Sequence, residues 1–232
     1  MKPTLSQSAP HIRRGRTTSA IMLDVLIALT PSVVAAVYVF GVRALLLLTV
    51  TMAASAAAQW LCLALRKGGE FDGSALVTGA LLALSLPAGT SLWAAAAAGV
   101  FAVAIVKEAF GGEGHYPFHP AAVGVVVAGI SWPQDVFSYP IPGTQLPLFG
   151  SVNTTLFEGM NATLRDGGLP SASTMNLLTG NVSAAMGTSA ALVVMACGLF
   201  LLVRGRINLS VVLPFFIFVI GLPWLFPQLN EL

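Results

Sequence analysis

Long apolar runs alternate with short polar connections along most of the chain. The first two runs, at 21–40 and 43–65, are each long enough to cross a membrane. About 20 residues of α-helix span the hydrocarbon core of a bilayer, which is about 30 Å thick. Comparable runs recur at 91–108, 187–203 and 209–226. The pattern therefore predicts five full-length transmembrane helices.

Two further apolar segments are too short to cross a membrane comfortably. The segment at 74–87 contains Gly79 and ends at Pro87, and the segment at 120–132 is also short and contains glycine. Helices that break at membrane depth survive only where protein or a lined cavity satisfies their backbone. We therefore expect seven segments in all, with the third and fifth inside the bundle.

Composition agrees with a membrane protein. Of the 232 residues 56% are hydrophobic and 9% are charged, and the mean hydropathy is +0.85. This is too little polar surface to cover a soluble globule. The first apolar run lacks a cleavage site and a polar mature sequence after it, so we interpret it as a retained span rather than a signal peptide. The predicted fold class is all-α and polytopic, in contact with membrane lipids and not with nucleic acid.

Basic residues predict the orientation. With the N-terminus in the cytoplasm, nine of the 11 Lys and Arg residues fall inside, and only Arg43 and Arg165 fall outside. The inner residues are Lys2, Arg13, Arg14, Arg16, Arg66, Lys67, Lys107, Arg204 and Arg206. The predicted organisation has four parts: a cytoplasmic basic segment at 1–20, a first membrane half of five segments at 21–132, an extracytoplasmic loop at 133–186, and a partial second half of two segments at 187–232.

Three stretches carry candidate chemistry. The outer loop contains a hydroxyl-rich strip, GLPSASTMNLLTGN, at 168–181, whose side chains either carry a modification or merely cap turns. Asp24 lies in the first predicted span and is an ion-pathway candidate, unless it snorkels or pairs with Arg16. His115 and His119 lack accompanying ligands, so no metal site is predicted.

Four blocks in order resemble the RnfD/NqrB family. They are APHIRRGRTTSAIMLDVLIALTPS at 9–32, FDGSALVTGALLALSLP at 71–87, KEAFGGEGHYPFHPAAVG at 107–124 and GTSAALVVMACGLFLLVRGRI at 187–207. The resemblance implies a membrane subunit of the Rnf ferredoxin:NAD oxidoreductase complex, which couples electron transfer to Na⁺ or H⁺ transport in the bacterial cytoplasmic membrane. It implies as partners the subunits RnfA, RnfB, RnfC, RnfE and RnfG.

The resemblance also implies a cofactor. Family members carry FMN, joined by a flavin transferase to a threonine in a Ser-Gly-Ala-Thr motif, and some carry a second, non-covalent flavin. The stretch Ser171–Thr174 is similar to that motif, with Thr174 at the acceptor position and Asp166 as the acidic residue upstream. Weaker candidates are Ser171, Thr179 and Thr188.

The loop FGGEGHYPFHPA at 110–121 resembles a family loop of the form FGGxGxNPFNPA, in which Tyr116 and His119 replace amide residues. Gly111, Gly112, Pro117 and His119 are therefore further cofactor-binding candidates. The alternative is a turn that lets a short helix enter the bundle.

Family members usually continue into two related halves on a plan like that of urea channels. This chain is accordingly expected to be a short form or a fragment. The competing functions are a channel or permease on the same plan and a non-catalytic scaffold subunit.

Overall fold

The computed structural model describes residues 18–66, 71–144, 146–148, 156–158, 173–188 and 190–225, and the described chain is mostly helical. The helices are α1 (Thr18–Phe40), α2 (Val42–Arg66), α3 (Ser74–Ser85), α4 (Leu92–Phe101), α5 (Pro120–Ser131), α6 (Pro133–Val136), α7 (Thr174–Thr179), α8 (Ala191–Val203) and α9 (Leu209–Leu225). Two short strands, β1 (Ser138–Pro140) and β2 (Leu156–Glu158), pair antiparallel.

The seven predicted segments correspond to α1, α2, α3, α4 with its extension, α5, α8 and α9. The full length predicted for the segment at 187–203 is wrong: α8 begins only at Ala191 and has 13 residues, because the chain at 186–187 is hydrogen-bonded to α3 instead. Helices α1 and α2, of 23 and 25 residues with hydropathies of 2.2 and 1.7, are long and apolar enough to cross a membrane. The all-α expectation is confirmed for the described residues, apart from the small hairpin formed by β1 and β2. The plan of two related halves stays a prediction.

Helices α3 and α5 are the two segments that the sequence predicts to be short. Each has 12 residues and is therefore about 18 Å long, well under the thickness of a bilayer core. Helix α3 begins after Gly73, whose φ is 76°, and ends at the extended residue Leu86 before Pro87. Helix α5 has Pro120 in its first turn, where a missing N–H costs nothing, and ends before Pro133. The predicted break points are confirmed.

Helix α4 does not end at Phe101. It continues as π-helical turns over Ala102–Glu108. The wider turn buries the consecutive residues Lys107 and Glu108 together, at 1% and 5% exposure. Because π-helical turns often mark functional sites, this extension directs attention to the end of α4 at which Lys107 and Glu108 lie.

Glycines let α3 and α4 approach α2 closely. A Cβ atom on Gly79 would lie 2.8 Å from the Met52 Cα and 3.0 Å from the Ser55 Oγ, and one on Gly99 would lie 2.8 Å from the same Oγ. Helices pack this tightly in membranes where small residues face each other. The apolar core around this crossing includes Phe40, Leu47, Leu48, Leu82, Leu84, Leu86 and Met186.

We expect Gly79→Ala to lower the stability of the protein by about 1–3 kcal/mol, because the added methyl group meets backbone that has no room to move. The matched control is Gly198→Ala in α8, where an added Cβ meets nothing within 4 Å. That substitution should be neutral or slightly stabilising, since alanine is the better helix former. Thermal unfolding of the purified protein in detergent compares the two variants; equal midpoints would contradict the close packing of α2 and α3.

The segment after α7 is hydrogen-bonded to the C-terminal end of α3. The Met186 N–H donates to the Leu86 carbonyl at 3.1 Å, and the Gly187 N–H donates to the Leu84 carbonyl at 2.7 Å. Gly187 is needed at this contact, since a Cβ there would lie 2.7 Å from the Leu84 Cβ. Residues 186–187 therefore lie at the same end of the bundle as the break after α3.

Candidate functional site

A buried ammonium group organises one end of the bundle. Lys107 Nζ donates to the Ser74 Oγ and lies 3.5 Å from Asp72 Oδ1, 3.6 Å from Glu108 Oε1 and 3.8 Å from Glu113 Oε2. We call this set, together with its neighbours, the Lys107 cluster. Its members are Gln59, Arg66, Asp72, Ser74, Lys107, Glu108, Glu113 and Tyr116.

The Lys107 cluster contains more negative than positive charge. Two cations, Arg66 and Lys107, face three carboxylates, those of Asp72, Glu108 and Glu113. Glu108 is nearly inaccessible, and its Oε2 lies 3.5 Å from the half-exposed Arg66. A buried charge persists only when it is paired and hydrogen-bonded, so these groups depend on one another. The Oε1 atom of Gln59 is buried without a hydrogen-bond partner among the described residues.

Two groups of the Lys107 cluster have shifted pKa values. Partial burial raises the pKa of Asp72, but hydrogen bonds from Ser74 and Gln59 and the charge of Lys107 outweigh it, so the pKa lies below its ordinary value of 3.8. Burial and the hydrogen bond that Tyr116 donates to Glu113, 3.0 Å long, raise the pKa of the tyrosine to about 12. Asp72 is therefore ionised and Tyr116 neutral at pH 7.

The lowered pKa of Asp72 predicts a pH-dependent contribution to stability. Because the folded state favours the carboxylate, its stabilising contribution is complete above about pH 4 and is lost as the pH falls through the lowered pKa. We expect Asp72→Asn to cost about 1.5–3 kcal/mol at pH 7, the range for hydrogen bonds to a charged group. The wild type and the variant should converge when thermal unfolding is repeated below pH 4. A difference that stays constant down to pH 3 would contradict a role for the charge.

The predicted cofactor loop meets the Lys107 cluster through its glycines. Gly111 and Gly112 have φ angles of 114° and 94°, a region that favours glycine, and their N–H groups donate to the Glu108 and Lys107 carbonyls. Pro117 and His119 are exposed and lie further along, before α5. The structure thus brings together Gly111 and Gly112 with the ionised groups, but not Pro117 and His119.

Among the described residues, Asp24 has two guanidinium partners that the sequence did not predict. Its Oδ1 accepts from Arg204 Nη2 at 3.0 Å, and its Oδ2 accepts from Arg206 Nε at 2.7 Å and from Arg206 Nη2. The alternative partner, Arg16, lies outside the described residues. These ion pairs connect α1 to the turn between α8 and α9.

Arg43 is a second buried cation that the sequence did not single out. It lies at the start of α2 and is 2% exposed. Within the described part of the chain, its guanidinium donates to four carbonyl oxygens from two separate loops, those of Ala88, Thr90, Pro147 and Leu148, at 2.6–3.4 Å. Arg66, at the other end of α2, belongs to the Lys107 cluster. The two cations therefore mark opposite ends of the bundle, in agreement with the predicted separation of Arg43 from Arg66 and Lys107.

Thr174 is the first residue of α7. The preceding Ser173 is exposed, and its Oγ accepts from the Asn176 N–H at 3.3 Å as a helix cap. The weaker candidates Thr179 and Thr188 donate their hydroxyls to the carbonyls of Met175 and Ala185. Ser171 and Asp166 lie outside the described residues. The acceptor role of Thr174 stays a prediction.

Metal-binding side chains are not clustered in the described part of the chain, where no three His, Cys, Asp or Glu residues could hold an ion together. Cys62 and Cys197 are free thiols in α2 and α8. Buried Cys197 lies 3.4 Å from the Ser32 Oγ, so it packs between α8 and α1.

These features define a class of protein: a helical membrane bundle with half-length helices and charged clusters at its ends. The chain belongs to the NQR2, RnfD, RnfE family, whose model matches residues 5–231.

Individual relatives bear names of the same kind. The chain is 36% identical over 205 residues to the D subunit of the Na(+)-translocating ferredoxin:NAD(+) oxidoreductase complex of Acetobacterium woodii, a match that covers 87% of this chain and 63% of the relative. It is 37% identical over 163 residues to the D subunit of the ion-translocating oxidoreductase complex of Klebsiella pneumoniae, covering 67% and 46%. The protein of the same name in Shigella boydii is 37% identical over 166 residues, covering 68% and 47%. The chain thus spans between about half and two thirds of the length of these relatives.

Proposed function

We propose that this chain acts as the D-type membrane subunit of an Rnf-type ion-translocating oxidoreductase complex. The observation that carries the proposal is the family match over residues 5–231, together with relatives that are named as the D subunits of such complexes. The proposed location is the bacterial cytoplasmic membrane, with the N-terminus and the Lys107 cluster on the cytoplasmic side, because the positive-inside rule places Arg66 and Lys107 there. The other Rnf subunits, RnfA, RnfB, RnfC, RnfE and RnfG, are its proposed partners.

The proposed cofactor is FMN, linked as a phosphoester to Thr174. When bound, FMN supplies reversible electron transfer, while the protein supplies its position and surroundings. The local structure suits a modification site: Thr174 follows an exposed Ser173 and precedes Met175, which is also exposed. Thr179 and Thr188 suit it less, because their hydroxyls already donate to backbone carbonyls.

The chain that follows Thr174 contacts one end of helix α3. Helix α7 is followed by the segment in which Met186 and Gly187 donate to carbonyls at the end of α3. Helix α3 in turn begins beside Asp72 and Ser74 of the Lys107 cluster. Residues 186–187, which follow the short helix that Thr174 begins, therefore contact one end of a half-length helix whose other end adjoins the Lys107 cluster.

A second, non-covalent flavin is assigned in this proposal to the loop at Gly111 and Gly112. Both glycines have positive φ angles and no side chain, so a ligand could approach their backbone closely. The charged side chains of the Lys107 cluster adjoin this loop. Asp24 is a weak candidate for the path of a Na⁺ or H⁺ ion, because two guanidinium groups already neutralise its carboxylate.

The test of the cofactor is the ultraviolet fluorescence of the denatured protein in a gel after co-expression with a flavin transferase. We expect a fluorescent band in the wild type that disappears in Thr174→Ala. The matched control is Thr179→Ala, which removes a hydroxyl from the same short helix and should leave the band unchanged. A dark wild-type band beside a fluorescent positive control would remove the flavin and favour the channel or scaffold function.

A further inference from the structure

Two clusters at the inner end of the bundle differ in their net charge. In the Lys107 cluster, Arg66 and Lys107 are outnumbered by three carboxylates, so the sum is one negative charge. At the turn between α8 and α9, Arg204 and Arg206 share the carboxylate of Asp24. Among the described side chains, the sum there is one positive charge. The basic residues are thus outnumbered by carboxylates in the Lys107 cluster but not at the turn between α8 and α9.

The turn between α8 and α9 holds its two arginines together by backbone geometry. Gly205 has a φ of 65°, its N–H donates to the Leu202 carbonyl, and the Arg206 N–H donates to the Leu201 carbonyl. This is the Schellman arrangement at a helix C-terminus. As a result, guanidiniums two residues apart reach one carboxylate.

The two guanidiniums are not equally accessible. The side chain of Arg206 is 13% exposed, whereas that of Arg204 is 52% exposed and lies with its Cζ 5.7 Å from the centre of the Phe200 ring. Asp24 accepts one hydrogen bond from Arg204, through Nη2. Half of the Arg204 side chain therefore remains accessible to a ligand.

Apolar side chains surround this positive turn on the membrane side. Leu199 and Val203 of α8 are exposed, and so is Leu209 at the start of α9. The side chains that follow in α9 are also exposed, namely Leu213, Phe215, Phe216, Ile217, Phe218 and Val219. The turn thus places a positive charge directly above lipid-facing hydrocarbon, as a phospholipid headgroup site requires.

We propose that the α8–α9 turn binds the phosphate of an anionic phospholipid, with Arg204 as the contacting group and Arg206, held by Asp24, as the positioning group. Guanidinium groups bind phosphate through paired, charge-assisted hydrogen bonds. A juxtamembrane basic residue also favours anionic over zwitterionic lipid. This site is independent of the flavin at Thr174, so either proposal can fail without the other.

The experiment measures lipid selectivity of the full chain in bilayers. Electron paramagnetic resonance of spin-labelled phosphatidylglycerol and phosphatidylcholine gives the fraction of each lipid immobilised at the protein. We expect an association constant about fivefold higher for phosphatidylglycerol, falling to near equality in Arg204→Gln. The matched control is Arg66→Gln, because Arg66 is equally exposed, at 51%, but is paired within the negative Lys107 cluster. That variant should keep the wild-type selectivity.

The salt dependence of the lipid preference in the wild type also tests the site. Added NaCl should reduce the preference for phosphatidylglycerol, because exposed charges are screened. Equal selectivity in the wild type and Arg204→Gln, or an equal loss in Arg66→Gln, would overturn the proposal.

Two other occupants of the turn would give different results. If the site takes free phosphate, sodium phosphate should abolish the preference more strongly than NaCl at the same ionic strength. If a second copy of the chain covers the turn, light scattering of nanodiscs should show a dimer in the wild type and a monomer in Arg204→Gln. Either result would overturn the lipid assignment.

Discussion

Lys107→Met should destabilise the protein by about 3–5 kcal/mol, the cost of removing one partner from a buried ion pair. The substitution keeps a long, unbranched side chain but leaves the carboxylates of Asp72, Glu108 and Glu113 without their common ammonium group. Asp72 and Glu108 are largely buried, so water cannot replace the lost charge fully. We expect a large drop in the thermal unfolding midpoint and in the amount of folded protein recovered from membranes.

The matched control for this prediction is Arg66→Met. Arg66 also pairs with Glu108, but half of its side chain is exposed, so the expected cost is about 0–1 kcal/mol. A second variant tests the charge balance directly: Lys107→Met combined with Glu108→Gln removes one positive and one negative charge. This double variant should recover part of the lost stability. If Lys107→Met and Arg66→Met unfold at the same temperature, the ammonium is not the centre of the cluster.

Arg43→Met is the substitution with the second-largest expected effect. It would leave the carbonyl oxygens of two loops without the donor that holds them together. Each buried acceptor left unsatisfied costs about 1–3 kcal/mol, so the total should be about 3 kcal/mol or more. The loss should be confined to the end of the bundle that contains the break after α3.

Hydrogen exchange followed by mass spectrometry distinguishes this local effect from general unfolding. In Arg43→Met we expect faster exchange at 86–91 and unchanged exchange in the Lys107 cluster. Arg43→Lys should not restore protection, because an ammonium group cannot present the planar fork with which the guanidinium reaches both loops. Arg66→Met, at the other end of α2, is the control. Uniformly faster exchange along the chain would contradict the local role of Arg43.

The membrane segments were predictable because their signal is local. A run of 20 apolar residues is recognisable without knowing what surrounds it. Gly79 and Pro87 likewise indicated that the third segment is short, and α3 ends at Ser85. The π-helical turns of Ala102–Glu108 were not predicted, because hydrophobic length and pattern do not distinguish a π-helical turn from an α-helical one.

The candidate site was predictable only in part. The resemblance singled out Gly111 and Gly112, which do lie at the Lys107 cluster, and Thr174, which begins α7. It did not single out Lys107 or Arg43. In the sequence both were counted only as markers of which side of the membrane a loop occupies, and a basic residue beside an apolar run carries no sign of whether it will be buried.

The sequence by itself determined the positions of the seven apolar segments and the breaks that shorten the third and fifth, because hydrophobic length and helix-breaking residues act over a few neighbouring positions. The tertiary structure alone decided the partners of the charged side chains. Asp24 meets Arg206 across 182 residues of sequence, and Arg43 meets Leu148 across 105. A charge beside hydrocarbon must find a partner, but which partner it finds depends on which helix ends the packed bundle brings together.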